Sequence, residues 1–469
     1  MQADSPLEML ENKLFHEISL GENACLVRTL KLSDIAAFAA VSGDTNPAHL
    51  DVEFARHSLF HGVIGHGMWT GSLISTVLGT QFPGPGSIYL DQSLHFKRPV
   101  KVGDTLTVLI TVKSKNAARH SVNFDCVITN QKGEQVVVGE ASVLAPTEKV
   151  KRPRILTPEI HVFDPNQRLA DFIGSASGLA PVTCGVVHPC DELSLRGLIE
   201  AAEHNIIVPL LLGPESKILS LAEQFNLDIK PFKLIAVPHS HAAADMAVEM
   251  VATGQLESLM KGSLHTDEMM HAVVARHELR TKHRLSHVFR FDVPLYDKPL
   301  FISDAALNIQ PTLMEKVDIV QNAINLTHIL GVAQPKVAIL SAIETVRPDI
   351  PSTLDAAALC KMLDRGQITG ALLDGPLAFD NAISKASMKV KQIESSVAGQ
   401  ADILIVPDLV SGNMLAKQLE YFAGAMACGI VLGSKCPIAL TSRSDSVSAR
   451  VASAQLAKIV AHHYREHKP

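Results

Sequence analysis

The hydrophobic rhythm of this 469-residue chain changes once, and that change limits the possible folds more than any other feature. In the first third, Val122, Phe124, Cys126 and Ile128 alternate with polar neighbours. Asn130-Gln131-Lys132-Gly133 then turns the chain, and Val136, Val138 and Val143 resume the alternation. A period of two is that of antiparallel strands with one face buried. The stretches 89–96 and 105–112 read as two further strands. Later the apolar residues come in unbroken runs: Ile206-Ile207-Val208-Pro209-Leu210-Leu211, Leu234-Ile235-Ala236-Val237, Val337-Ala338-Ile339-Leu340, Ala371-Leu372-Leu373 and Asp402-Ile403-Leu404-Ile405-Val406. Runs of that kind, spaced by helical segments, are parallel strands buried on both faces. One sheet cannot satisfy both patterns, and the length exceeds what a single core usually supports. The charged, Pro-containing stretch 148–154 marks the break. It divides the chain into a domain at 1–150, a solvated linker at 151–165 and a second domain at 166–469.

Composition narrows the function. A formal net charge of −6 provides no field for a phosphate backbone, and 4% aromatic residues give bases few platforms, so nucleic acid is excluded as a partner. No apolar run approaches the roughly 20 residues of a membrane helix. The opening Met1-Gln2-Ala3-Asp4-Ser5-Pro6 lacks the order of a secretion signal. Seven scattered cysteines without a Cys-x-x-Cys pair fit a reducing cytoplasm and no metal site.

The chemistry gathers in Ser42-Gly43-Asp44-Thr45-Asn46-Pro47-Ala48-His49 and, shortly after, His61-Gly62-Val63-Ile64-Gly65-His66-Gly67-Met68. Ser33-Asp34 caps a short helix over 35–41 that ends at Gly43, and Pro47 stiffens the path from Asp44 to His49. From Gly67 to Thr80 an apolar pattern carries Gly71, Ser72, Ser75 and Gly79, which predicts a buried helix with a close neighbour. A base, an acid and free helix-start N–H groups would converge here. His61 and His66 read as local capping or hydrogen-bonding residues. Lys97 and Arg98 read either as surface charges or as contacts for a coenzyme's phosphates.

Asp44-x-Asn46-Pro47-x-His49, His66-Gly67-Met68, Gly86-Ser87-Ile88-Tyr89 and Phe96-Lys97-Arg98-Pro99-Val100-x-Val102-Gly103-Asp104 resemble the MaoC-like, R-specific enoyl-CoA hydratases of the hotdog fold. The resemblance covers the first third. It implies an α+β domain with a sheet wrapped around one helix, catalytic Asp44 and His49, an oxyanion amide at Gly67 and an assisting Ser75; Asn46, with Lys97 and Arg98 in the second of their two readings, are the candidate substrate contacts.

In the second domain, Pro437-Ile438-Ala439-Leu440-Thr441-Ser442-Arg443-Ser444-Asp445-Ser446 runs from a strand into a long final helix, a pattern suited to an anion. No Gly-x-Gly-x-x-Gly or P-loop element follows any strand. Met260-Lys261-Gly262, Asp304-x3-Asn308-Ile309-x-Pro311, Ser341-Ala342-x-Glu344, Asp374-Gly375-Pro376-Leu377-Ala378-Phe379-Asp380-Asn381-Ala382, Ala401-Asp402-Ile403-Leu404, Gly412-Asn413 and Thr441-Ser442-Arg443-x-Asp445-Ser446 resemble the phosphate acetyl/butyryltransferases. That likeness implies an α/β domain of two subdomains, similar to isocitrate and isopropylmalate dehydrogenases. It places catalysis at Ser442, phosphate at Arg443, and substrate contacts at Thr441, Asn413 and Asp374. The chain departs from the acetyltransferase pattern at Ala449, where an aspartate base is expected, and near Tyr421, where an arginine is expected. Those departures lean toward the butyryltransferase-like branch, with Asp445 as the stand-in base.

Together the resemblances imply a bifunctional enzyme. It would hydrate trans-2-enoyl-CoA to (R)-3-hydroxyacyl-CoA and exchange an acyl group between CoA and phosphate. No cofactor is expected beyond CoA thioesters and phosphate as substrates, and a homo-oligomer, a dimer or larger, is implied. The alternatives are a second domain that only binds CoA or scaffolds the assembly, and a thioesterase built on the hotdog.

Overall fold

A computed structural model describes residues 9–155 and 163–469, which fall into two compact units, Met1–Val162 and Phe163–Pro469.

The first unit is a six-stranded antiparallel sheet ordered Asn23–Thr29, Thr105–Asn116, Ser121–Thr129, Gln135–Leu144, Ile88–Gln92, with His95–Phe96 also paired to Gln135–Leu144. Against it lies the helix Gly67–Thr80, which buries Trp69, Leu73, Ile74, Val77 and Leu78, residues three and four apart. They meet Val108, Ile110, Phe124 and Ile128 from alternate positions of the strands in one core. The expected 89–96 strand is broken at Ser93-Leu94, where the chain approaches Gly139 so closely that a Cβ there would lie 1.9 Å from the Ser93 carbonyl oxygen. The first helix begins at Leu32, earlier than the expected cap. Asp34 Oδ2 accepts the Lys31 N–H from inside the first turn, and Gly43 closes the helix in the left-handed region.

Part of the expected linker is structured. Lys151–Pro153 pairs antiparallel with Met9–Glu11, and Lys149 and Lys151 reach Glu17 and Glu11, so these bases are held by carboxylates of the same unit. Within the rest of the expected linker, residues 156–162 lie outside the described residues, and its last position opens the helix Pro165–Gly174.

The second unit has an eleven-stranded sheet in the order Lys233–Ala236, Ile207–Gly213, Val182–Val187, Ser258–Lys261, Ile438–Ala439, Met426–Leu432, Ser286–Asp292, Leu300–Ser303, Ile403–Ile405, Lys336–Leu340, Leu372–Leu377. All five apolar runs read from the sequence are strands in it, each with a parallel neighbour. The middle is not parallel: Met426–Leu432 runs antiparallel to both its neighbours, and Ser286–Asp292 antiparallel to Leu300–Ser303. The connections 433–437 and 293–299 are too short for a helical crossover, so the chain has to turn back on itself. Two parallel blocks of opposite direction result. Below them the final helix, Val447–Glu466, is buried almost all round from Ala449 to Ala461.

Candidate functional sites

In the first unit the loop after Gly43 is shaped by its own side chains. Asp44 Oδ1 accepts the Asn46 N–H, and Asn46 Oδ1 accepts the Ala48 N–H and caps the short helix Pro47–Leu50. Asn46 is thereby committed to the loop. His49, half-buried on that helix, places Nδ1 2.8 Å from the Ile64 carbonyl oxygen. A carbonyl only accepts, so Nδ1 carries a proton, and in the neutral ring Nε2 is the nitrogen with the free lone pair. His66, 1% exposed, donates through Nε2 to the Asp44 carbonyl at 3.0 Å and lies against the His49 ring with centroids 3.9 Å apart. The expectation that His66 bonds only locally is thus corrected: it precedes the helix without capping it and ties down a residue 22 positions earlier. Ligand atoms of Asp44, His49 and His66 all lie within 4.8 Å of one another, room for a bound water, and these groups are also the ones placed to share a metal ion.

A cavity of about 340 Å³ is lined by His49, Gly67, Thr70, Phe96, Lys97 and Arg98 among others. Gly67 is the first residue of the helix Gly67–Thr80, where the first N–H groups lack intrahelical acceptors and the positive end of the dipole lies. A Cβ on Gly67 would come 3.0 Å from the Phe96 ring, so glycine keeps the approach to that N–H open. Ser75 does not join this group. It is exposed, lies outside the cavity lining and stands eight residues on, about 12 Å along the helix axis. Thr70, one turn from Gly67, lines the cavity instead, and its buried Oγ1 has no partner among the described residues.

The second site is the turn ahead of Val447–Glu466. Ser442 and Arg443 are exposed, Ser442 Oγ meets only Ser444 Oγ at 3.2 Å, and Arg443 forms no ion pair among the described residues. Asp445, 5% exposed, accepts the Ser442 N–H through Oδ2 at 2.7 Å and the Lys417 ammonium through Oδ1 at 3.2 Å. Thr441 faces inward: its Oγ1 accepts from Nη1 of the fully buried Arg450, whose Nη2 also donates to the Ser442 and Arg443 carbonyls. A buried guanidinium must find acceptors, and Thr441 is one, which removes it from the substrate face. Asn413 lies on the helix Leu409–Tyr421 one turn before Lys417 and donates to the Ala305 carbonyl. Asp374 is not brought here. Its strand is the sheet edge, six strands from Ile438–Ala439 or about 29 Å at ordinary spacing, and its Oδ1 accepts the Gly375 N–H.

Sequence reasoning passed over Lys261 and Arg450 as individuals. The signal was a cation closing an apolar strand, and another inside a helix too rich in small residues to be a surface helix.

Comparison with known proteins finds a family match within each unit. Residues 239–458 match the family described as phosphate acetyl/butaryl transferase, and residues 23–132 match the MaoC like domain. The chain is 56% identical over 291 residues to a phosphate acetyltransferase of Rhizobium meliloti, covering 62% of this chain and 92% of the relative. A branched-chain phosphotransacylase from Enterococcus faecalis V583 is 31% identical with a TM-score of 0.54, covering 60% of this chain and 99% of that one. The R-hydratase PhaJ1 from Pseudomonas aeruginosa is 41% identical with a TM-score of 0.32, covering 33% and 100%. The chain belongs to the phosphate acetyl/butyryl transferase family and carries a MaoC-like domain ahead of its transferase unit.

Proposed function

We propose that the first unit adds water to trans-2-enoyl-CoA to give (R)-3-hydroxyacyl-CoA, and that the second exchanges an acyl group between CoA and phosphate. The observation that carries this reading is that each unit presents a helix start beside positioned acid and base groups. In the first, His49 Nε2 and the Asp44 carboxylate hold one water. Its oxygen bonds to the β-carbon as electrons move to the thioester oxygen, where the Gly67 N–H meets the growing charge. The proton leaving the water rests on the Asp44–His49 pair and passes to the α-carbon, so the pair ends unchanged. Lys97 and Arg98, at the cavity rim, suit the phosphates of CoA.

In the second, Arg443 forks onto phosphate and directs one oxygen to the thioester carbonyl. Ser442 Oγ and the N–H groups at the helix start hold the tetrahedral oxyanion. Asp445 takes the phosphate proton and returns it to the departing thiolate, which balances the step. The 56% identical phosphate acetyltransferase favours an acetyl group over the butyryl branch suggested by Ala449 and Tyr421.

The two opposed parallel blocks support the two-subdomain, dehydrogenase-like description of the transferase unit. The exposed Ile88, Tyr89 and Leu90 on an edge strand support pairing of copies. No helix among the described residues is long and apolar enough to cross a membrane, in keeping with a cytoplasmic setting.

The test is to assay the full chain with crotonyl-CoA for hydration and with acetyl-CoA and phosphate for thiol release. Asp44→Asn should abolish only the first activity and Ser442→Ala only the second. A chain that performs neither reaction overturns the reading.

A further inference from the structure

Lys261 ends the strand Ser258–Lys261 and is 3% exposed. A buried ammonium needs a carboxylate or several acceptors, because burial removes the water that stabilises its charge. Lys261 has neither. Its Nζ has one hydrogen-bond partner among the described residues, the Thr441 carbonyl at 3.5 Å, and it forms no ion pair among them. It sits beneath the turn whose upper face presents Ser442 and Arg443. Arg450, also buried and holding the carbonyls of that turn, has a further unpaired donor in Nε. Such a site has surplus positive charge and open donors below the start of a 20-residue helix, and an anion would complete it.

We propose that Lys261 is a phosphate-binding residue of the acyltransfer site, its ammonium supplying from beneath the turn the second positive charge for the phosphate that Arg443 engages from above. The inference rests on the reading of the second unit as a phosphate acyltransferase. Where the family resemblance expects an arginine, Tyr421 points to solvent, 65% exposed. Lys417, one turn before it, is already committed to Glu420 and Asp445. Lys261 is a buried cation beside the same turn with no carboxylate partner among the described residues.

The charged groups around Lys261 are Arg450 on the terminal helix, Arg443 and Asp445 on the turn, and Asp191 at the cap of the helix Glu192–Glu203. His188, beyond the neighbouring strand, hydrogen-bonds Ser263. Burial, then Arg450 and Arg443, bring the Lys261 ammonium down to about 8, with Asp191 and Asp445 opposing. An arriving phosphate dianion would restore its charge, so phosphate should bind less well as pH rises past that value.

The experiment uses the full chain as wild type, Lys261→Met and Lys261→Arg. Two quantities are read from about pH 7 to about pH 9.5: the rise in melting temperature on adding inorganic phosphate, and the KM for phosphate in acyl transfer. Lys261→Met should lose most of the phosphate-dependent rise and increase the phosphate KM about tenfold or more, with the acetyl-CoA KM within about twofold. Lys261→Arg, with a charge that does not titrate, should bind at pH 7 and keep its affinity where the wild type loses it. A phosphate response unchanged in Lys261→Met overturns the proposal. If that variant does not melt cooperatively, an alkaline loss in Lys261→Arg equal to that of the wild type overturns it instead. The melting shift needs no turnover, so a wild type that binds phosphate without transferring acyl groups counts against the acyltransferase reading and not against the phosphate site.

Discussion

The imidazole of His66 lies against that of His49 with ring centroids 3.9 Å apart and the planes tilted by 35°, while its Nε2 grips the carbonyl of Asp44. One buried side chain thus touches both members of the proposed water-holding pair, one through its ring and the other through its main chain.

Replacing His66 with phenylalanine keeps a ring against His49 and removes the donor to Asp44. The Asp44 carbonyl then turns to water, and the loop loses about 1 kcal/mol of fixation. Hydration kcat should fall about tenfold or more with a smaller change in crotonyl-CoA KM, since misplacing the pair affects the reaction more than substrate binding. Acyl transfer should not change. Equal hydration rates in wild type and His66→Phe would show that the loop holds its shape without this bond.

Gly67→Ala tests the approach to the helix start. The new methyl would meet the Phe96 ring at 3.0 Å, and that half-exposed ring has room to move toward solvent. Folding should survive, because alanine favours a helix over glycine by about 1 kcal/mol. The methyl narrows the cavity beside the N–H proposed for the thioester oxygen, so hydration kcat/KM should drop about tenfold or more while the melting temperature stays level or rises. A variant as active as the wild type would remove that N–H from the mechanism.

Much of this was legible in the sequence because local rules and global packing agree there. The small-residue pattern after Gly67 specified a buried helix, and the unbroken apolar runs specified the strands at 207–213 and 403–405. What escaped depended on distance along the chain. The antiparallel centre of the large sheet follows from short connections, which no residue pattern announces. Asp374 carries a motif residue, yet strand order puts it at the far edge from the turn at 441–445. His66 looked like a local cap because its partner lies 22 residues away. Lys261 and Arg450 meet the turn from 180 and 7 to 9 residues away, and only the fold puts them under it.

Asp445 has two tasks that one substitution separates. Asp445→Asn retains an oxygen for the Ser442 N–H, so the turn should hold, but it no longer accepts a proton and it weakens the contact with Lys417. Acyl-transfer kcat should fall about a hundredfold or more, the usual scale for a lost general base. The phosphate KM should not rise, since a negative charge near the anion has been removed. Undiminished kcat would leave Asp445 as a brace for the turn and require another acceptor for the thiol proton.

Lys261 also predicts a trade between function and stability. Its folded-state value of about 8 lies below the ordinary 10.5, so between those values the unfolded chain binds the extra proton and the folded chain does not. Stability therefore rises with pH across that window, and the cost of burying the charge is complete below it. A gap of that size corresponds to about 3 kcal/mol at neutral pH. Lys261→Met fills the same space without a charge, so at pH 7 it should raise the unfolding free energy of the transferase unit, read from urea titration, by an amount approaching that figure. The advantage should shrink as the solution is taken toward the ordinary lysine range, and in each comparison groups common to both chains cancel. Saturating phosphate should erase much of the difference at pH 7, because only the wild type gains a partner for its ammonium. A variant no more stable than the wild type in phosphate-free buffer would mean that the ammonium is already satisfied inside the fold.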